Sequence, residues 1–248
     1  MKIALMCPTR NRLNKLLTLI SSLITTVNNS ENVVLVLGVD EDDPIKDYYV
    51  YLQRNVPMVR VIELQNNGKF LGLSTMWNTM AKQVTDVDVY AMIGDDMIFK
   101  TKDWDVEVKK EFDQGPKDKI MMLHCNDGMR GPGNKYENVA PFCVNFFVHK
   151  NYVNTAGYFV EPYIENIHED TWAMFVFSKL NRVKYRHDIL IKHLHQSESN
   201  SKSDNVTDNL EKLRENIWNN NDWMITYKSE LEDELNKLKK FIKDYNNG

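Results

Sequence analysis

Val89-Tyr90-Ala91-Met92-Ile93-Gly94-Asp95-Asp96 is an apolar run that stops at a glycine and two adjacent carboxylates. Such a run reads as a strand buried on both faces. The pattern recurs upstream. Ile3 to Cys7 is a strand closed by Pro8. Val33 to Val39 is a second, running into the acidic turn Asp40-Glu41-Asp42-Asp43-Pro44, and Val59 to Leu64 is a third. Between them, Leu13, Leu16, Leu17, Ile20, Leu23, Ile24 and Val27 repeat at helical spacing. Leu73, Met76, Trp77, Met80, Ala81 and Val84 do the same. Residues 1–100 therefore predict the order β-α-β-β-α-β. Strands without alternation imply an α/β fold, a mainly parallel Rossmann-like sheet flanked by helices. Ligands of such sheets bind at the carboxyl ends of the strands. Thr9 with Arg10, Asp40, and Asp95 with Asp96 all stand at such ends. Their convergence predicts a functional cleft.

The second half is less regular. Ile120 to Cys125 and Phe142 to Val148 read as strands, and Val183 to Tyr185 and Ile189 to Ile191 as short ones before His193-Leu194-His195. Glu169-Asp170 opens a short helix with Trp172, Phe175 and Val176 inward. Gly128 to Gly133 and the Ser-rich stretch Ser197 to Asp204 read as loops. From about Thr207 the pattern is helical, with Leu231, Leu235, Leu238 and Ile242 in one stripe. That stripe either packs on the parent domain or pairs two chains.

Composition narrows the class. A chain of 248 residues has ample core for folding without disulfide or metal staples. A net charge of −4 argues against a broad nucleic-acid footprint. Cys7, Cys125 and Cys143 form no C-x-x-C pair, and a sparse odd count fits a reducing compartment. Leu16 to Val27 is too short and, with Ser21, Ser22, Thr25 and Thr26, too polar to span a bilayer. The expectation is a cytoplasmic protein without a membrane span.

The chemistry lies at Gly94-Asp95-Asp96. Adjacent carboxylates repel, and a divalent cation relieves the repulsion. Hard oxygen ligands suit Mg2+ or Mn2+, with substrate phosphates completing the shell. Gly94 lets the backbone approach a ligand closely. His193 and His195 alternate along a strand end, so only one easily faces that site. Imidazole is a common manganese ligand, yet each histidine reads equally well as a hydrogen-bonded structural residue. Asp170, at a helix start, is either a cap or a general base.

In order and spacing, Pro8-Thr9-Arg10-Asn11-Arg12, Val39-Asp40, Asn67-Gly68 to Asn78 and Gly94-Asp95-Asp96 resemble family 2 glycosyltransferases of the GT-A fold. Gly157-Tyr158-Phe159, Asp170-Thr171-Trp172, Arg182, Tyr185 and His193-Leu194-His195 resemble a subgroup found in bacterial and viral genomes. The resemblance spans roughly residues 1–200. It implies a GT-A domain over residues 1–206, with a nucleotide-binding half (1–100) and an acceptor-side half (101–206), and a helical extension over 207–248. It implies a metal-dependent, inverting transfer of sugar from a nucleotide-sugar donor to an acceptor hydroxyl. Pro8, Thr9 and Arg10 would line the nucleotide site, Asp40 would contact the base, and Lys69 would hold the nucleotide or diphosphate. Asp95 and Asp96 would stand for the Asp-x-Asp element, with Asp96 the metal ligand and His193 or His195 on the far side. The family often carries an Asp where this chain has Ile93. Asp170 matches the base of inverting members. The acceptor stays open among glycan, other hydroxyls and a modified nucleobase in DNA. Two other readings compete. A nucleotidyltransferase usually needs a Gly-rich loop after the first strand, which Pro8 to Arg12 lacks. A catalytically silent nucleotide-sugar-binding or assembly module would use the C-terminal stripe as a homo-oligomer contact.

Overall fold

The computed structural model describes residues 1–69, 71–129, 143–194 and 223–248. Strand β1 (Ile3–Thr9) leads into α1 (Leu13–Thr26), β2 (Val33–Asp40), α2 (Lys46–Asn55), β3 (Val59–Leu64), α3 (Leu73–Gln83) and β4 (Val89–Met92). Then come β5 (Met97–Phe99), α4 (Trp104–Gln114), β6 (Met122–Asn126), β7 (Phe146–His149), α5 (Lys150–Ala156), α6 (Glu169–Lys179) and β8 (Val183–His193). The one-turn α7 (Trp223–Thr226) and α8 (Lys228–Asn247) close the chain.

The sheet order is β3-β2-β1-β4-β7-β6-β8-β5. β1 pairs in parallel with β2 and β4, and β2 with β3. β7 runs antiparallel to β4 and β6. The unbroken apolar strands have the predicted cause, since helices cover both faces. Along β1, Ala4 and Met6 face a core made with α3, α5, α6 and α8. Ile3, Leu5 and Cys7 face the opposite core, made with α1, α2 and α4. Gly38 belongs to this packing, because a Cβ there would lie 2.4 Å from Met80 Sδ on α3.

Three readings need correction. The first half runs β-α-β-α-β-α-β, because α2 intervenes between β2 and β3. It buries only Tyr49 and Leu52, so its apolar period is faint. The two short strands after Val183 are one, β8. It pairs in parallel with β6, shifts register at Cys125/Asn126, and then pairs antiparallel with β5. The strand read from Phe142 starts at Phe146 among the described residues. The 206/207 boundary, most of the Gly128 to Gly133 loop and the Ser-rich stretch lie outside the described residues.

Candidate functional site

Parallel pairing of β1 with β2 and β4 brings three carboxyl ends together. At β1, Thr9 Oγ1 donates to Asp95 Oδ2 at 2.8 Å, both side chains being buried. Arg12 Nη1 lies 3.3 Å from the other Asp95 oxygen. Burial pushes the Asp95 carboxyl up to about 6, with Arg12 opposing it. Asp95 thus ties the turn after β4 to the end of β1 and the loop that follows it, and this braces the backbone that presents Asp96.

A glycine stands two residues before Asp96 for a geometric reason. A Cβ at Gly94 would lie 2.8 Å from Asp96 Oδ1. Antiparallel pairing sets Met97 opposite His193, and Leu194 N donates to Asp96 O at 2.9 Å. These bonds bring His193 Nε2 to 3.4 Å from Asp96 Oδ1. Burial raises the Asp96 carboxyl, but His193, with help from Lys15 and Arg12, more than offsets it and leaves it below the usual carboxylate range. His193 therefore faces Asp96, and His195 lies outside the described residues.

At β2, Arg10 Nη1 donates to Asp40 Oδ2 at 2.8 Å and also reaches Asp42. Arg10 and Asn66 hold the Asp42 carboxyl down to about 2. Asp40 is buried, and burial pushes its carboxyl up against the pull of Arg10. Its Oδ1 has no hydrogen-bond partner among the described residues. That oxygen is an acceptor awaiting a donor. Asn11 N donates to Asp43 Oδ2 at 2.9 Å and Arg12 N to Tyr49 Oη at 3.3 Å, so the stretch from β2 into α2 braces the loop carrying Arg10. The strand read as closed by Pro8 runs on through it: Pro8 pairs with Gly38, and Thr9 ends β1. Lys69 is exposed in the turn after β3, at the same edge of the sheet, and Lys69 N donates to Asn66 O.

Asp170 comes from the other half. It lies in the first turn of α6, where its Oδ1 accepts from Thr171 N at 2.6 Å. That turn docks on the start of α3: Ser74 Oγ donates to Glu169 Oε1 at 3.2 Å and Leu73 N to Asn166 Oδ1 at 2.9 Å. The sequence reading missed Arg12, Asp42 and Tyr49 as site-building residues. Arg12 was visible in the loop after β1, but only its reach to Asp95 gives it a role.

The donor set suits a divalent cation. Asp96 offers a hard oxygen and His193 a borderline nitrogen, close enough to share one ion. Among the described residues no group of three or more His, Cys, Asp or Glu is arranged to hold a metal ion. Ile93 is buried in the core and supplies no further carboxylate.

Sheet order and crossovers together match the GT-A fold of solved glycosyltransferases. Among solved structures, the chain is similar to the mannosyltransferase PcManGT from Pyrobaculum calidifontis in complex with GDP-Man and Mn2+, at TM-score 0.63 and 11% identity. The match covers 77% of this chain and 56% of that one. It is also similar to residues 1–349 of S. aureus TarS in complex with UDP-GlcNAc, at TM-score 0.60 and 15% identity, over 96% of this chain and 72% of that one. A further TarS 1–349 structure matches at TM-score 0.57 and 16% identity, over 77% and 59%. The chain thus spans little more than half the length of the mannosyltransferase. No family's sequence profile matches the chain, and no curated protein does. Likeness at these identities is likeness of fold.

Proposed function

We propose that this protein transfers a sugar from a nucleotide-sugar donor to an acceptor hydroxyl, with a divalent cation and inversion at the anomeric carbon. The observation that carries this reading is the shared edge of β1, β2 and β4. It sets the Asp96–His193 pair beside Asp95–Thr9 and the Arg10–Asp40 pair. Structures of the same fold hold GDP-Man with Mn2+ and UDP-GlcNAc.

In this reading Asp40 Oδ1 accepts a hydrogen bond from the base, and Arg10 orients Asp40 from behind. Pro8 and Thr9 floor the nucleotide site, and Lys69 offers a cation to the diphosphate. Asp96 and His193 would hold Mn2+ or Mg2+, and the bound cation would offset negative charge on the departing diphosphate. Asp170 takes the proton from the acceptor hydroxyl as that oxygen attacks the anomeric carbon from the opposite side. A glycan, or another hydroxyl acceptor, would be read by the acceptor-side half. No helix among the described residues is long and apolar enough to cross a membrane.

Calorimetry with UDP and GDP, with Mn2+ and then with chelator, tests the donor site. Metal-dependent binding is expected, and Asp96→Ala should abolish its metal-dependent part. Binding that ignores both metal and Asp96 would remove the metal role. Asp170→Asn should keep nucleotide affinity and lose turnover; a variant that turns over normally sinks the base assignment. NMR of the product should show an inverted anomeric centre, and retention would overturn single displacement.

A further inference from the structure

Glu234 lies on α8 among Glu230, Glu232 and Asp233, yet it is only 2% exposed. Its carboxylate accepts three hydrogen bonds from the domain. Tyr152 Oη donates to Oε1 at 2.9 Å, Trp172 Nε1 donates to Oε2 at 2.7 Å, and Tyr158 Oη also donates to Oε2. A carboxylate leaves water at high cost unless donors replace the solvent, and here three do. The same helix already adheres through Leu231 and Leu238, both buried in the core. For adhesion alone a leucine would serve as well or better. What the carboxylate adds is direction, because it fixes where the Trp172 indole N–H points.

Trp172 matters because of what precedes it. Its backbone N donates to His168 O at 2.7 Å, closing the turn that contains Glu169, Asp170 and Thr171. One residue thus joins the Asp170 turn to Glu234, by its backbone on one side and its indole on the other. Aromatic packing from the same C-terminal segment supports the join. Trp223 stacks on His168 at 5.3 Å and packs on Trp172 at 5.7 Å, and Tyr227 stacks on Tyr163 at 6.0 Å.

We infer that Glu234 is a positioning residue: through the Trp172 indole it sets the first turn of α6 and so the placement of Asp170. The inference rests on the proposed role of Asp170 as base.

The test uses full-length Glu234→Leu, Trp172→Phe, their double variant and Glu234→Gln. Glutamine can keep its oxygen on Trp172 and Tyr158 and turn its amide toward the Tyr152 hydroxyl, which can accept. Hydrogen exchange of amides 168–175 should quicken about tenfold in the Leu and Phe variants and stay near wild type in Gln. Exchange in β1 should not change. With UDP-GlcNAc or GDP-mannose plus Mn2+, well below the unfolding midpoint, donor hydrolysis should fall on the order of tenfold in kcat. The donor KM should hold within about twofold, and the double variant should be no worse than either single one. Wild-type exchange in that turn, or losses that add, would overturn the inference. Should Glu234→Leu fail to fold, Trp172→Phe carries the same comparison. If the wild type turns over neither donor, the glycosyl-transfer reading falls, while exchange still decides whether Glu234 sets the turn.

Discussion

Asp95 and Asp96 are neighbours with different jobs. Asp95 is spent on Thr9 and Arg12, while Asp96 faces His193. A sequence shows two carboxylates at a strand end but not this division, which depends on strand pairing across nearly a hundred positions. Likewise, alternation makes His193 and His195 a pair of options, and the pairing of β8 with β5 is what sets His193 against Asp96. Gly94 offers a sharp test at this scale. In Gly94→Ala the new Cβ meets Asp96 Oδ1, and that carboxylate must turn. The Mn2+-dependent affinity for UDP or GDP is expected to fall about tenfold, near 1.4 kcal/mol, with the circular dichroism unchanged. Equal affinity would mean that Asp96 does not need its present rotamer. Arg10→Ala leaves Asp40 buried without its counter-charge and leaves Asp42 to its Asn66 bond. It is expected to weaken nucleotide binding with or without metal, a pattern distinct from that of Gly94→Ala and readable in the same calorimetric series.

At the scale of elements, the buried strands were legible because both faces are covered, which produces unbroken apolar runs. What stayed hidden had weak or split signals. α2 buries two residues, β5 has three residues, and β8 changes partner midway and so looked like two strands. The C-terminal helix was legible as a stripe, but not for what the stripe meets. Leu231 and Leu238 pack on the chain's own domain, so the stripe is used within the chain. Glu234 could not be read at all, since a glutamate among other acids looks like a solvated face. Leu238 is fully buried, and Leu238→Ala is expected to cost ~2–4 kcal/mol, measured as a lower urea midpoint with an unchanged slope. A loss near zero would mean that α8 is peripheral to the cooperative unit.

At the scale of the molecule, the two halves share one sheet and also meet where α3 begins, and acidic groups crowd that second junction. Ser74 donates to Glu169, Thr75 Oγ1 donates to Glu165 Oε1 at 2.7 Å, and Glu161 is buried nearby. Glu161 Oε2 accepts from Tyr163 N at 2.7 Å and Ile164 N at 2.8 Å, while Oε1 has no partner among the described residues. Burial pushes this carboxyl up to about 9; the two backbone donors oppose the shift, and Glu169 and Glu165 add to it. The sign of the consequence follows from proton counts. Below the unfolded value, near 4.5, both states hold the proton and the group contributes nothing. Between that value and about 9 the unfolded chain has released a proton that the folded chain keeps, so stability falls as pH rises. Above about 9 both states have released it, and the full penalty stays. Glu161→Gln removes the titration but retains an oxygen for the two backbone donors. Its added amide hydrogens impose a cost that does not depend on pH. The stability of the variant relative to wild type should therefore climb between about pH 5 and about pH 8, by on the order of 1–3 kcal/mol. Denaturant unfolding at those two pH values measures the slope. A difference that stays constant with pH would show that Glu161 is ionised in the folded protein, held by its two backbone donors.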